Sequence, residues 1–301
     1  MATPFTLIAA PHTPFHPDGT LNLDPIAKQA ALFSRNGIDG VFACGTTGEG
    51  LHMTTAERKA VAERWAAVRG TLRVIVHVGH SCQRDATLLA AHAKDIGASA
   101  VAALAPHFIK PTTPEELVEF FRPVAAACAP LPFLYYDIPT LTGVRASAAR
   151  FLELADAAIP NVGGVKFTNI DVIGLQECVT AGGGKFEVFF GCDEMLLAAV
   201  AVGARRAVGS TYNYSSVLHR KVVAAYDTAD RDLAARLQRE SVRMVRILEK
   251  YGGPIVAGKE VMKLYGIDLG PPRPPLAPLT ASQVAGLHAE LKELGVLNPT
   301  G

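Results

Sequence analysis

Short, almost uniformly apolar runs recur from Phe5 to Thr211: FTLIAAP, GVFACG, RVIVHVG, AVAALAP, PFLYYDI, VGGVKFT, EVFFGCD and RAVGST. Their length and their Val, Ile, Phe and Ala content predict β-strands. The lack of apolar–polar alternation predicts strands covered on both faces. Helical patterns fill the gaps, and two of them carry start signals. TTAERKAVAERWAAV opens with Thr54 and Glu57 at capping-box spacing. TPEELVEFFRPVAAA puts Thr113 at the N-cap, Pro114 at N1 and Glu116 at N3, so orphan backbone donors are satisfied in both. About eight βα units joined by right-handed crossovers close into an α/β fold, a (β/α)8 TIM barrel.

Past Ser215 the pattern changes. SVLHRKVVAAYDTADRDLAARLQRESVRMVRILEKYG reads as long and helical, AGKEVMKLYGIDLGPPRPPLAPL as a helix ended by prolines, and TASQVAGLHAELKELG as a last capped helix. The chain divides accordingly into a barrel core, residues 1–214, and a segment 215–301 holding the last barrel helix and a small C-terminal helical extension. GPPRPPLAP reads as a rigid connector.

Composition narrows the function. Of 301 residues, 49% are hydrophobic, which supports a large core, and the formal charge of +1 with no basic tract argues against a nucleic-acid partner. No apolar run approaches the roughly 18–20 residues of a membrane span, so no membrane partner is expected. MATPFTLIAAPHTPF has no signal-peptide pattern. The five cysteines are scattered, odd in number and never spaced as C-x-x-C, which suits reduced thiols in a cytoplasmic protein.

Barrel enzymes carry their chemistry at the C-terminal ends of the strands. The sixth run, GGVKFTN, holds Lys166 between Val165 and Phe167. A lysine there is either a snorkelling or ion-paired residue, or a desolvated amine; desolvation favours the neutral form, a nucleophile toward carbonyls. CGTTGEG presents Thr46 and Thr47 in a Gly-rich turn, either an ordinary βα turn or a nest for a carboxylate or phosphate. In LYYDIP, Tyr135 and Tyr136 alternate, so at most one faces the barrel interior. GCDEML and GSTYN offer Asp193, Glu194 and Ser210 as helix-start acids, polyol binders or a phosphate loop. His77 and His80 in HVGH leave one strand on opposite faces without a companion at ligand spacing, so no metal site is expected.

Taken together, GTTGEG, YDIPTLTG and GGVKFT, in this order over nearly the whole chain, resemble the pyruvate-dependent class I aldolase family that includes N-acetylneuraminate lyase and dihydrodipicolinate synthase. The resemblance implies a Schiff-base lyase with no cofactor beyond a covalent imine through Lys166, with Tyr136 relaying protons and Thr46 and Thr47 holding a 2-oxo acid carboxylate. It implies Thr168, Gly191, Asp193, Glu194 and Ser210 as contacts for the hydroxyls of a sialic acid. It also implies a homotetramer with small 2-oxo acid and sugar substrates. Leu141 stands where the synthases carry an arginine for a second carboxylate, and Phe108 where they carry a tyrosine that reaches a neighbouring subunit's site. A sibling aldolase or dehydratase for another 2-keto-3-deoxy sugar acid, and a non-catalytic sugar-acid-binding barrel, are the competing expectations.

Overall fold

Every one of the eight apolar runs forms a strand in the computed structural model, which describes residues 4–297. The strands are β1 (Thr6–Ala9), β2 (Gly40–Ala43), β3 (Arg73–His77), β4 (Ala100–Leu104), β5 (Phe133–Asp137), β6 (Val162–Phe167), β7 (Glu187–Phe190) and β8 (Arg206–Gly209). They pair in parallel and in chain order, and β8 closes on β1. Alternation sorts the side chains. Ile8, Phe42, Ile75, Ala102, Leu134, Tyr136, Phe189 and Val208 pack together inside the barrel. Val41, Val74, Val101, Tyr135, Val165 and Val188 face the surrounding helices. Both faces are dry, which is why the runs lack polar alternation. At the N-terminal end of the barrel, Glu187 pairs with Arg73 at 2.9 Å and Arg206 at 3.2 Å, which leaves the opposite end for chemistry.

The barrel helices are α1 (Pro25–Arg35), α2 (Thr55–Val68), α3 (Gln83–Asp95), α4 (Pro114–Cys128), the short α5 (Pro139–Thr142), α6 (Ala148–Ala158), α7 (Val172–Thr180), α8 (Leu196–Ala201) and α9 (Tyr212–Asp227). Thr54–Glu57 and Thr113–Glu116 form full capping boxes, as their spacing predicts. The C-terminal extension is α10 (Arg231–Lys250), α11 (Gly253–Lys263) and α12 (Ala281–Leu294), and Thr280 caps the last.

Two expectations need correction here. The long helical run is two helices: Ala229 adopts φ 63°, and Asp230 caps α10 by accepting from the Leu233 amide. The prolines do not end α11; it stops at Lys263, and Gly266 at φ 72° turns the chain before they are reached. The divide at residue 215 falls inside α9, where Ser215 is non-helical at φ −130°.

Candidate active site

Register brings the first two candidates together. Tyr136 on β5 pairs with Lys166 on β6, so both side chains leave the same face of adjacent strands, into the barrel mouth. Tyr135, one residue earlier, packs outward against Phe121 and Phe151. Lys166 is only 5% exposed, and its Nζ lies 3.9 Å from the Tyr136 ring centroid and 4.1 Å from that of Phe42. It has neither an ion-pair nor a hydrogen-bond partner among the described residues. Lys259, the other buried lysine among them, sits 2.8 Å from the Glu49 carboxylate. The Tyr136 hydroxyl shares a 3.2 Å hydrogen bond with Thr46 Oγ1, which ties the β2 turn to β5.

The ends of β6, β7 and β8 form the other wall. Gly191 follows β7, and its amide donates to the Phe167 carbonyl at 2.8 Å. A Cβ at position 191 would collide with the Thr168 side chain, whose buried hydroxyl has no hydrogen-bond partner. Asp193 is 4% exposed, and its Oδ2 accepts from both the amide (2.9 Å) and the hydroxyl (2.6 Å) of Thr211 at the start of α9. Gly209 permits this, because a Cβ there would overlap the Asp193 carboxylate. Burial pushes the Asp193 carboxyl up, against the pull of the Thr211 donors. Two donors of the GSTYN turn, both from Thr211, are thereby directed at a carboxylate. Glu194 is also pushed up, by burial and then by Asp193 and Glu249.

All nine candidates, Thr46, Thr47, Tyr136, Lys166, Thr168, Gly191, Asp193, Glu194 and Ser210, line one cavity of about 350 Å³ at the barrel mouth. Sequence reasoning missed its roof. Val245, Leu248 and Glu249 of α10 and Pro254 of α11 also line it, so the extension shapes the pocket. Gln238 of α10 holds the β7–α8 segment, donating to the Asp193 carbonyl at 3.3 Å and accepting from the Leu197 amide at 2.8 Å. Ser241 adds a 3.4 Å bond to the same carbonyl. The polar positions on the amphipathic pattern of α10 were the available signal.

Other residues of these motifs fall elsewhere. Asp137 points away from Lys166, toward an adjoining cavity of about 640 Å³ between α5–α6 and α7. It accepts from the Tyr135 hydroxyl at 3.3 Å, and burial pushes its carboxyl up to about 6. Leu141 lines a smaller pocket of about 170 Å³ with His52, His77 and His107. Phe108 is 86% exposed. The histidine expectation is corrected in one respect: His80 does have companions, since Cys82 and Asp85 gather beside it at the start of α3. Its Nδ1 is already engaged by the Cys82 amide at 2.9 Å. His77 is buried, and its Nδ1 lies 2.9 Å from the Cys44 carbonyl; burial holds the ring neutral.

Residues 4–294 match the model of the dihydrodipicolinate synthetase family. An N-acetylneuraminate lyase of Gallus gallus is 39% identical over 293 residues, 96% of this chain and 95% of its own length. That of Homo sapiens is 38% identical over 300 residues, 98% of this chain and 93% of its own. The solved structure of the N-acetylneuraminate lyase (sialic acid aldolase) of Aliivibrio salmonicida superposes with a TM-score of 0.95 at 39% identity, covering 99% of both chains. With a match along nearly its full length, the chain belongs to the dihydrodipicolinate synthetase family.

Proposed function

We propose that this chain is an N-acetylneuraminate lyase, a class I aldolase that reversibly cleaves N-acetylneuraminate to N-acetylmannosamine and pyruvate. The observation that carries the reading is the contrast between the two buried lysines. Lys259 is neutralised by a carboxylate, whereas Lys166 is unpaired, faces the cavity and lies over the ring of Tyr136. A fold has no need of an unpaired buried amine, but imine chemistry does.

In this reading Lys166 Nζ attacks the C2 carbonyl of the open-chain sugar acid, and loss of water leaves an iminium. The Tyr136 hydroxyl relays the proton of the C4 hydroxyl, accepting it while passing its own to the substrate carboxylate held beside Thr46, as the C3–C4 bond breaks, and the bonding pair moves into the iminium to give an enamine. N-acetylmannosamine departs as the aldehyde. Protonation at C3 and hydrolysis of the imine release pyruvate and restore Lys166. The Thr46 hydrogen bond orients the tyrosine. Thr46 and Thr47 receive the carboxylate, while Thr168, Gly191, Asp193, Glu194 and Ser210 serve the sugar hydroxyls, each carboxylate accepting more than one donor. Leu141 provides no charge for a second carboxylate, which favours a lyase over a dicarboxylate-forming synthase.

The relatives and the chemistry support small-molecule partners and no external cofactor. We also place the chain in the cytoplasm as a homotetramer. No helix among the described residues is long and apolar enough to cross a membrane. All five cysteines are free, which fits a reducing compartment. Phe108 and Ile109, 86% and 84% exposed, form an apolar edge that a second copy would cover.

The direct test is pyruvate release from N-acetylneuraminate by wild type and Lys166→Ala. Release by wild type alone is expected. Equal release by both would exclude the mechanism, and a wide preference for an unacetylated sugar acid would move the chain to a sibling aldolase.

A further inference from the structure

The turn that carries Thr46 and Thr47 is short and closed on itself: the Glu49 amide donates to the Thr46 carbonyl and the Gly50 amide to the Gly45 carbonyl, each at 3.0 Å. Glu49 ends this turn at φ 54°, a left-handed conformation uncommon for a side chain of its size. Its side chain leaves the cavity and enters the molecule. There Oε1 meets Lys259 Nζ of α11 at 2.8 Å, with side-chain exposures of 0% and 1%. Oε2 accepts from the Arg273 amide at 2.7 Å. Lys259 spends a second donor on the Pro271 carbonyl at 2.9 Å. Arg273 in turn reaches the His52 carbonyl at 2.9 Å and grips the Glu57 carboxylate at the start of α2. The proline-rich segment is therefore a latch across the β2 turn as well as a connector.

A fully buried ion pair is a poor device for stability alone, because an apolar pair of similar volume often does as well or better. What it supplies is geometry: a carboxylate gripped from two sides fixes the direction of the residue that bears it. We propose that Glu49 and Lys259 are positioning residues for the 2-oxo acid carboxylate, and that the C-terminal extension, through Lys259 and Arg273, holds the Thr46–Thr47 turn in its anion-receiving conformation. The pair does not touch substrate; it acts through the turn. The inference rests on the Schiff-base reading above, and it adds that affinity for the carboxylate end is set from outside the barrel.

The test is the double variant Glu49→Gln/Lys259→Met, which removes both charges together and so leaves no orphaned buried ion. The readout is pyruvate-dependent trapping of the enzyme by borohydride, followed with pyruvate concentration. The half-saturating concentration is expected to rise about tenfold or more, as for the loss of well-placed hydrogen bonds to a carboxylate. The trapping rate at saturating pyruvate and the KM for N-acetylmannosamine in the synthetic direction should hold. Half-saturation equal to wild type would overturn the proposal, whatever happens to the melting temperature. Should the double variant not fold, Glu49→Gln alone keeps size and the acceptor for the Arg273 amide, and it is read against the same two outcomes. Failure of the wild type to trap at all would fault the Schiff-base assignment instead.

Discussion

A lysine taken out of water gives up hydration worth several kcal/mol, so the surroundings of a buried lysine report what it is for. Lys166 has two aromatic faces and an open cavity. Its neighbour Tyr136 is the residue whose loss should separate binding from chemistry. Tyr136→Phe is expected to lower kcat by about 10²–10⁴-fold while borohydride still traps pyruvate, measured by steady-state kinetics beside a trapping assay. Asp137 lends itself to a pH experiment. Its folded carboxyl titrates at about 6, above its ordinary 3.8, so folding favours the protonated form. That stabilisation is complete below about pH 3.8 and is lost as pH rises through about 6. Asp137→Asn should therefore match wild type near pH 4 and exceed it by about 2–3 kcal/mol at pH 7, as read by denaturant melts at both. A gap of the same size at both pH values would contradict the assignment. Lys166 was legible in the sequence because a charge in a dry strand is an anomaly. Asp137 was not, because the α6 and α7 residues around it lie on other elements of the chain.

The eight strands and the capped starts of α2 and α4 could be read because each depends on residues within one short window. The break between α9 and α10 was missed, since the helical period continues through it and only the Asp230 cap and the turn at Ala229 mark it. The function of α10 was also hidden. Nothing local says that Gln238 and Ser241 will reach the backbone of Asp193, a contact spanning more than forty residues. Gln238→Leu removes one donor from the Asp193 carbonyl and leaves the Leu197 amide unpartnered, at a stability loss of about 1–3 kcal/mol. It should raise the KM for N-acetylmannosamine in synthesis with the pyruvate half-saturation unchanged. A rise confined to pyruvate would show that α10 does not shape the sugar end.

Across the whole molecule the barrel separates two tasks. Arg73, Glu187 and Arg206 close its N-terminal end, while the nine candidates converge at the other around one cavity. The convergence was legible only as a set: each motif alone admitted a bland reading, and barrel topology put them in one place. The exposed apolar edge of Phe108 and Ile109 is where a second copy is expected to pack. Phe108→Glu should shift the light-scattering mass from a multiple of the chain toward a smaller species; an unchanged mass would place the interface elsewhere. The central claim is that Lys166 forms the imine. Its most direct test is borohydride reduction of the wild-type protein in pyruvate, followed by peptide mapping. The account predicts one reduced pyruvyl adduct, on Lys166, and none in Lys166→Ala. An adduct on Lys259 or another amine, or no adduct at all, would contradict it.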